Sequence, residues 1–169
     1  MWFAKFVVVL PILACAMQAQ ASWREKIYSS ELKNYKAFEK CITKSSVQNG
    51  IPEILLMAVI RQEFGKPGLK KKNNPKSGKT TYDYGIMQIN DIRLTHVPEE
   101  VKPLIKNDGC LNIEIGARML TKEIAKADNF WQGVGNYHYR YDGKYPHNHH
   151  KYVRKVREKW MRIHNIATQ

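Results

Sequence analysis

The sequence predicts one α+β domain that is predominantly α-helical, with at most a small sheet near residues 80–90. Apolar residues recur at three- and four-residue steps along most of the chain, which is the periodicity of helices with one buried face. Residues 81–90 contain Gly85 and are too few for a good helix, so extended or turn-like structure is expected there. No internal repeat or low-complexity linker divides the chain, which favours a single domain.

The first helices can be placed from their apolar faces and their ends. A first helix is predicted to end at Asn49-Gly50, and Pro52 suits the opening turn of a second. Residues 54–60 of that second helix are apolar on every side, as expected for a central buried helix, and Gly65 is predicted to mark its end. The apolar face of the first helix consists of Tyr35, Phe38, Cys41 and Ile42.

Loops and shorter elements follow in the middle of the chain. Residues 66–81 are polar and rich in Lys, Asn, Gly and Pro, so we expect a long exposed loop of the kind that is often functional. A short helical turn is expected within 98–105. A longer helix is expected over 110–127, and Asp128 or Asn129 is expected to cap a further short helix.

The first 21 residues have the pattern of a secretory signal peptide. A short start with one lysine precedes an apolar run, and Ala19-Gln20-Ala21 gives a small-x-small cleavage site. We therefore expect export and a mature domain over residues 22–169. A lipoprotein is the alternative, since Ile12-Leu13-Ala14-Cys15 resembles a lipid-attachment site. A membrane would be a partner only if Cys15 were lipidated, and Leu13 is bulky for that pattern.

Removal of the first 21 residues leaves two cysteines, Cys41 and Cys110. An even pair in an oxidising compartment predicts a disulfide rather than two buried free thiols. Closing a loop of that length contributes roughly 4 kcal/mol in the chain-entropy model.

The chain is strongly basic, with a net charge of +13 that becomes +12 without the leader and its one lysine. Such an excess favours an anionic partner, such as a polyanion, a membrane surface or an acidic polymer. A solvated face is the alternative interpretation for each basic segment. The apolar stripe of the C-terminal helix consists of Val153, Val156, Trp160 and Ile163. This helix and the loop before residue 80 contain the following cations: Lys70, Lys71, Lys72, Lys76, Lys79, Lys151, Arg154, Lys155, Arg157, Lys159 and Arg162.

One carboxylate, Glu63, comes just after the apolar run of residues 54–60, from which Arg61 and Gln62 separate it. Apolar surroundings and the negative end of a helix both disfavour ionisation, so both raise the pKa of this acid. A carboxylic acid that is protonated near neutral pH is what general-acid cleavage of a glycosidic bond requires. The alternative for a lone glutamate at a helix end is a solvated cap or an ion pair, here with Arg61.

Four blocks of sequence carry a family resemblance: RQEFG, DYGIMQIN, LNIEIGARML and WQGVGNYHYR. In order and spacing they resemble the lytic transglycosylases of the lysozyme-like superfamily, over about residues 35–140. The likeness is greatest to the small specialised enzymes that accompany bacterial secretion, conjugation and pilus machines. It implies a lysozyme-like fold, no cofactor, peptidoglycan as substrate, a periplasmic location and a monomer.

The resemblance also implies roles for individual residues. Glu63 matches the catalytic acid and base, and Asn112 lies in the helix that supports the cleft. Tyr137 matches a tyrosine whose hydroxyl orients the catalytic carboxylate. The residues implied to bind the glycan are Gly85, Ile86, Met87, Gln88, Tyr137 and His138.

Two positions depart from the family pattern. Phe64 stands where the family has serine, so a hydroxyl is lost near the site. Arg140 replaces a glycine in the Tyr-Asn-x-Gly block, while His138 keeps a hydrogen-bonding side chain in place of the asparagine. These changes affect positions that set the local turn and the substrate preference in the family.

The mechanism implied by the family needs one carboxylate. Glu63 protonates the oxygen between N-acetylmuramic acid and N-acetylglucosamine, then accepts the proton of the 6-hydroxyl as a 1,6-anhydro ring closes. A hydrolytic muramidase is the alternative, and it would use a second carboxylate. Asp83 is the candidate, although an aspartate at this point also suits a turn cap.

Two further interpretations come from other residues. His138, His147, His149 and His150 invite a metal site, but they lack an ordered ligand spacing, so no metal is expected and solvated loop histidines are favoured. Tyrosines among basic residues also suit a non-catalytic binder of the cell wall or of nucleic acid. Export argues against nucleic acid, and tyrosines equally suit sugar stacking.

Overall fold

The computed structural model describes residues 23–73 and 80–169. The predicted signal peptide, Cys15, Lys76 and Lys79 lie outside these ranges, so the leader and the lipoprotein alternative stay predictions. Within the ranges described, no helix has both the length and the apolar character that crossing a membrane requires.

The described chain is mainly helical and carries one small sheet, as the sequence predicts. Short 3-10 helices span Lys33–Phe38 and Asp91–Leu94. The helices are α1 (residues 23–30), α2 (Glu39–Asn49), α3 (Glu53–Glu63), α4 (Lys102–Asn107), α5 (Gly109–Lys126), α6 (Phe130–His138) and α7 (Pro146–Ala167). The strands are β1 (Lys70–Asn73), β2 (Thr81–Tyr84) and β3 (Ile89–Asn90).

Helix α3 forms the centre of the core. Each residue from 55 to 60 is 0% exposed, which confirms the prediction of a central buried helix. Helices α2 and α7 pack against α3, while α5 packs against α2 and α6. Because each buried Leu, Ile or Met contributes about 1.5–3 kcal/mol, this packing fixes the position of the residues that follow the run.

The end of α3 differs from the prediction. The residue after the helix is Phe64, not glycine, and it adopts the left-handed conformation with φ 53°. Gly65 has another role: a Cβ there would come within 2.0 Å of the carbonyl oxygen of Gly85. The close approach of two backbone segments, rather than the helix end, therefore explains this glycine. The prediction that Gly50 ends α2 is confirmed by its φ of 63°.

The sheet is antiparallel, in the order β1-β2-β3. The extended structure predicted within 81–90 is confirmed by β2 and β3. The prediction of a loop over 66–81 is wrong at β1, where Lys71 pairs with Asp83 of β2. The side chains of β1 are mostly exposed, so the strand results from backbone pairing and leaves no apolar alternation in the sequence.

The remaining predictions concern the disulfide and the later helices. Cys41 in α2 and Cys110 in α5 form the predicted disulfide, with their Cα atoms 5.3 Å apart. Asn129 caps α6 by accepting a hydrogen bond from the backbone N–H of Gln132. Helix α7 begins at Pro146, so the histidines expected in a loop are helical instead. The side chain of His149 is only 2% exposed.

Candidate active site

A cleft of about 820 Å³ opens between the end of α3, the sheet and the segment that follows α6. Among the predicted site residues, the cleft lining contains Glu63, Asp83, Gln88, Tyr137 and His138. Further lining residues are Lys71, Asn73, Thr81, Ile89, Asn90, Ile92, Arg93, Met119, Asn136, Tyr139, Arg140 and Gly143.

Glu63 is the last residue of α3, and its side chain is half-buried at the cleft surface. Burial raises the pKa of this carboxyl to about 7, and the negative charge of Asp83 acts in the same direction. A hydrogen bond from Tyr152 and the positive charge of Lys71 oppose the rise. Desolvation dominates, so a large fraction of Glu63 is protonated near neutral pH.

The hydroxyl of Tyr152 donates a hydrogen bond to Oε1 of Glu63 at 2.5 Å. Tyr152 lies in α7, is almost fully buried and stacks on the ring of His138 with centroids 4.7 Å apart. Burial also raises the pKa of Tyr152 well above its usual value, so the hydroxyl stays a donor. The packing of α7 on α3 therefore fixes the rotamer of the acid.

The role expected for Tyr137 is wrong in this respect. Its hydroxyl donates to the carbonyl oxygen of Met87 at 2.8 Å, so it holds the wall of the cleft and does not bond Glu63. The orienting tyrosine, Tyr152, lies outside the four sequence blocks. The sequence signal that could have found Tyr152 is the spacing of the buried residues of α7. His149, Tyr152 and Val156 are three and four residues apart, as on one face of a helix.

The block from Gly85 to Gln88 builds the cleft floor in a different way from the one predicted. The side chains of Ile86 and Met87 are 0% exposed and belong to the core, so the expectation that they line the glycan site is wrong. Gly85 has a φ of 70°, and a Cβ there would lie 2.3 Å from the side chain of Asn112. Gln88 does face the cleft, and its Nε2 donates to the carbonyl oxygen of Gly85 at 2.7 Å.

Helix α5 supports this block through Asn112, as the sequence predicts. Its Oδ1 accepts from the N–H of Met87 at 2.7 Å. Its Nδ2 donates to the carbonyl oxygens of Tyr84 and Ile105, each at 3.0 Å. A fully buried amide with three hydrogen bonds holds the turn rigidly, because losing any of them would leave a buried polar group unpaired.

Asp83 projects from β2 into the same cleft. Its Oδ2 accepts from the side-chain amide of Asn73 at 2.7 Å, and its Oδ1 accepts from that of Asn90 at 2.6 Å. The aspartate is thus part of a polar cluster that joins the three strands. It lies within a strand and does not cap a turn.

The two departures from the family pattern lie in different places. Phe64 is 60% exposed and outside the cleft lining, and the guanidinium of Arg61 lies 5.4 Å from the centre of its ring. Arg140 lines the cleft and pairs with Asp142 at 2.9 Å. His138 lies at the cleft surface, and burial lowers its pKa.

The histidines of α7 have structural contacts. The Nδ1 of His149 lies 2.9 Å from the carbonyl oxygen of Tyr139, and the ring fills the space beside Gly135. Over residues 23–73 and 80–169, no group of three or more His, Cys, Asp or Glu side chains is placed to hold a metal ion.

Comparison with known proteins identifies the family. Residues 40–159 match the Transglycosylase SLT domain. A peptidoglycan-binding-like protein of Escherichia coli O157:H7 is 30% identical over 92 residues, or 50% of this chain and 53% of that protein. This chain thus spans about half the length of that relative.

Two other relatives are covered more fully. Protein IpgF of Shigella flexneri is 30% identical over 128 residues, which cover 73% of this chain and 80% of that protein. Invasion protein IagB of Salmonella typhimurium (strain SL1344) is 27% identical over 137 residues, with 79% and 82% covered. Because the family match extends over most of the chain and includes the acid of the cleft, the chain belongs to the transglycosylase SLT family.

Proposed function

We propose that this chain cleaves the β-1,4 bond between N-acetylmuramic acid and N-acetylglucosamine and leaves a 1,6-anhydromuramic end. The observation that carries the proposal is the carboxyl of Glu63, whose pKa is raised to about 7 beside a cleft large enough for sugars. An acid with a pKa near the working pH can both give and take a proton, which a one-carboxylate mechanism demands.

The proton of Glu63 can be assigned to one oxygen. Tyr152 donates to Oε1, so Oε1 acts as the acceptor and Oε2 carries the acidic proton. In the first step, Oε2–H protonates the leaving glycosidic oxygen, and the N-acetyl group of the muramic residue shields the charge at the anomeric carbon. In the second step, the carboxylate takes the proton of the 6-hydroxyl, which attacks that carbon and closes the ring. No water is consumed.

A hydrolytic muramidase is the second candidate, because Asp83 lines the same cleft as Glu63. The contacts of Asp83 favour a supporting role: both of its oxygens already accept hydrogen bonds from asparagine amides. Its negative charge also helps to keep Glu63 protonated.

Mass spectrometry of digested peptidoglycan separates these two candidates. A lytic transglycosylase yields muropeptides one water lighter than those of a hydrolase, because they end in the anhydro ring. We expect the lighter products. Products with reducing ends would contradict the proposal and favour hydrolysis with Asp83.

We further propose that the chain is exported to the periplasm and opens the wall locally for a secretion, conjugation or pilus apparatus. The support is the likeness to invasion protein IagB and protein IpgF together with the predicted leader. In a Salmonella strain that lacks IagB, the wild-type chain is expected to restore invasion, and its Glu63→Gln variant is not. Equal restoration by both would contradict a role for wall cleavage. Mature protein from the envelope is expected to begin at Ser22.

A further inference from the structure

Four cationic side chains form a ridge where α3 packs against α7. Lys155, Lys159 and Arg162 are four and three residues apart, so they share one face of α7. Arg61 lies in the last turn of α3. Partial burial lowers the pKa of Lys159, and the positive charges of Arg61, Lys155 and Arg162 lower it further against the influence of Glu158. We call Arg61, Lys155, Lys159 and Arg162 the basic ridge.

Among the described residues, Arg61 is the one member of the basic ridge that has a carboxylate within 4.0 Å. Glu158, the acid nearest to it on α7, pairs with Arg154 at 3.1 Å. Arg61 lies 3.7 Å from Glu31, and its Nε is buried without a hydrogen-bond partner among the described atoms. No carboxylate in the described ranges lies within 4.0 Å of the other three ridge cations. Clustered like charges destabilise a fold, so an external anion would relieve the repulsion.

The basic ridge includes residues close to Glu63 and Tyr152 along their helices, and its α7 members extend away from Tyr152. Arg61 precedes Glu63 by two residues on α3. Lys155 follows Tyr152 by one helical turn, and its charge reaches His138 in the cleft lining. Ten residues of helix separate Tyr152 from Arg162, which corresponds to about 15 Å along α7. A group attached to the sugar beside Glu63 could therefore extend along these cations.

The muramic acid of peptidoglycan carries such a group. A stem peptide hangs from its lactyl ether, and that peptide bears free carboxylates. We propose that the basic ridge binds the carboxylates of the stem peptide and makes the enzyme prefer peptide-bearing over bare glycan strands. The inference rests on the proposed function, since it places the muramic residue next to Glu63. The inference adds the stem peptide, a part of the substrate that the cleft itself does not contact.

Activity on two substrates tests the preference. The ridge variant is Lys155→Gln/Lys159→Gln/Arg162→Gln. The control, Lys40→Gln/Lys122→Gln/Lys126→Gln, removes the same charge from exposed positions elsewhere. The ratio of kcat/KM on intact strands to kcat/KM on amidase-stripped strands is measured for each. We expect the ridge variant to lower this ratio about tenfold, as the loss of three solvent-screened charge contacts would, and the control to keep it. An unchanged ratio, or an equal fall in the control, would overturn the inference.

Binding gives a test that does not depend on the product. Stem peptide released by an amidase is titrated into the full chain carrying Glu63→Gln, with and without the ridge substitutions. We expect binding that weakens with salt and is lost in the ridge variant. The inference would be overturned if stem-peptide binding were the same with and without the ridge substitutions. Ridge-dependent binding to phosphatidylglycerol vesicles but not to stem peptide would also overturn it. Hydrolytic products would contradict only the proposed function, whereas ridge-independent peptide binding would contradict only this inference.

Discussion

The two walls of the cleft each present one acid, and the two acids are held in different ways. Glu63 ends a helix in which residues 55–60 are fully buried, and it accepts one hydrogen bond from a tyrosine of another helix. Asp83 lies in a small, mostly polar sheet and accepts hydrogen bonds from two asparagine amides. The helical wall thus imposes desolvation on its acid, whereas the sheet wall gives its acid two donors.

This difference supports the proposal that the helical wall carries the chemistry. Desolvation holds the pKa of Glu63 near 7, where proton transfer in both directions is efficient. Asp83 acts on Glu63 through its charge, which raises the pKa of Glu63. The four predictions below test this division, from the largest expected effect to the smallest.

Replacement of the helical acid removes the proposed reacting group. Glu63→Gln keeps an oxygen that can accept from Tyr152 but carries no transferable proton. Loss of general acid and base catalysis is expected to lower kcat by about 10²–10⁴-fold. The measurement is the release of soluble muropeptides from purified sacculi, with sedimentation of the protein with sacculi as the binding control. If the release of muropeptides persists unchanged, Glu63 is not the reacting acid and the chain uses another group.

The same substitution is expected to change the pH dependence of stability. In wild type the pKa of Glu63 is about 7 in the folded state against an ordinary value of 4.5, so the folded state holds the proton more tightly. That contribution is fully present below pH 4.5 and is lost as pH rises to 7. The loss amounts to about 3 kcal/mol.

Urea unfolding at several pH values measures this loss. Glu63→Gln lacks the group, so its free energy of unfolding relative to wild type is expected to increase between pH 4.5 and 7. The same unfolding measurement on Asp83→Asn gives the comparison for the acid of the sheet wall. The raised pKa of Glu63 would be contradicted if the difference in free energy of unfolding between wild type and Glu63→Gln did not vary between pH 4.5 and 7.

Removal of the orienting hydroxyl tests the link between α7 and the acid. Tyr152→Phe deletes a hydrogen bond to a carboxyl, so we expect kcat/KM to fall about ten- to a hundredfold. The bond lowers the pKa of Glu63, so its loss is also expected to move the alkaline fall of the pH profile upward. Tyr137→Phe, whose hydroxyl bonds Met87, is the matched control and is expected to leave the profile in place. A downward shift in Tyr152→Phe would contradict the assignment.

Neutralisation of the sheet acid is expected to have the smallest effect. Asp83→Asn removes a charge that raises the pKa of Glu63, so the alkaline fall is expected to move to lower pH. The loss of kcat/KM at neutral pH is expected to stay within about tenfold, as for one screened charge interaction. A loss as large as that of Glu63→Gln would make Asp83 a reacting group and favour hydrolysis.

The helical wall was largely predictable from the sequence, because its determinants are local. A run of apolar residues must be buried, and an acid within one helical turn of its end shares part of that environment. The spacing of apolar side chains, which predicts the helices, and the asparagine before α6, which predicts its cap, likewise depend only on residues a few positions away. The disulfide followed from simple pairing, since only two cysteines follow the predicted leader.

The contacts that complete the site are not local. Tyr152 meets Glu63 across 89 residues, and nothing in its own neighbourhood distinguishes it from other buried positions of α7. Strand β1 consists of three lysines and an asparagine that pair with the backbone of β2, and the side chain of Asn73 also bonds Asp83. Ile86 and Met87 stand in a motif typical of a binding site, but only the packing shows that their side chains belong to the core.

The central claim is that burial keeps Glu63 protonated near neutral pH, and its carboxyl can be followed directly. Protein labelled with ¹³C at the glutamate carboxyl carbon is titrated by NMR, and the signal of Glu63 is identified by its absence in Glu63→Gln. The structure predicts a midpoint near pH 7 for this signal. A midpoint near 4.5, the ordinary value for a glutamate, would contradict the account.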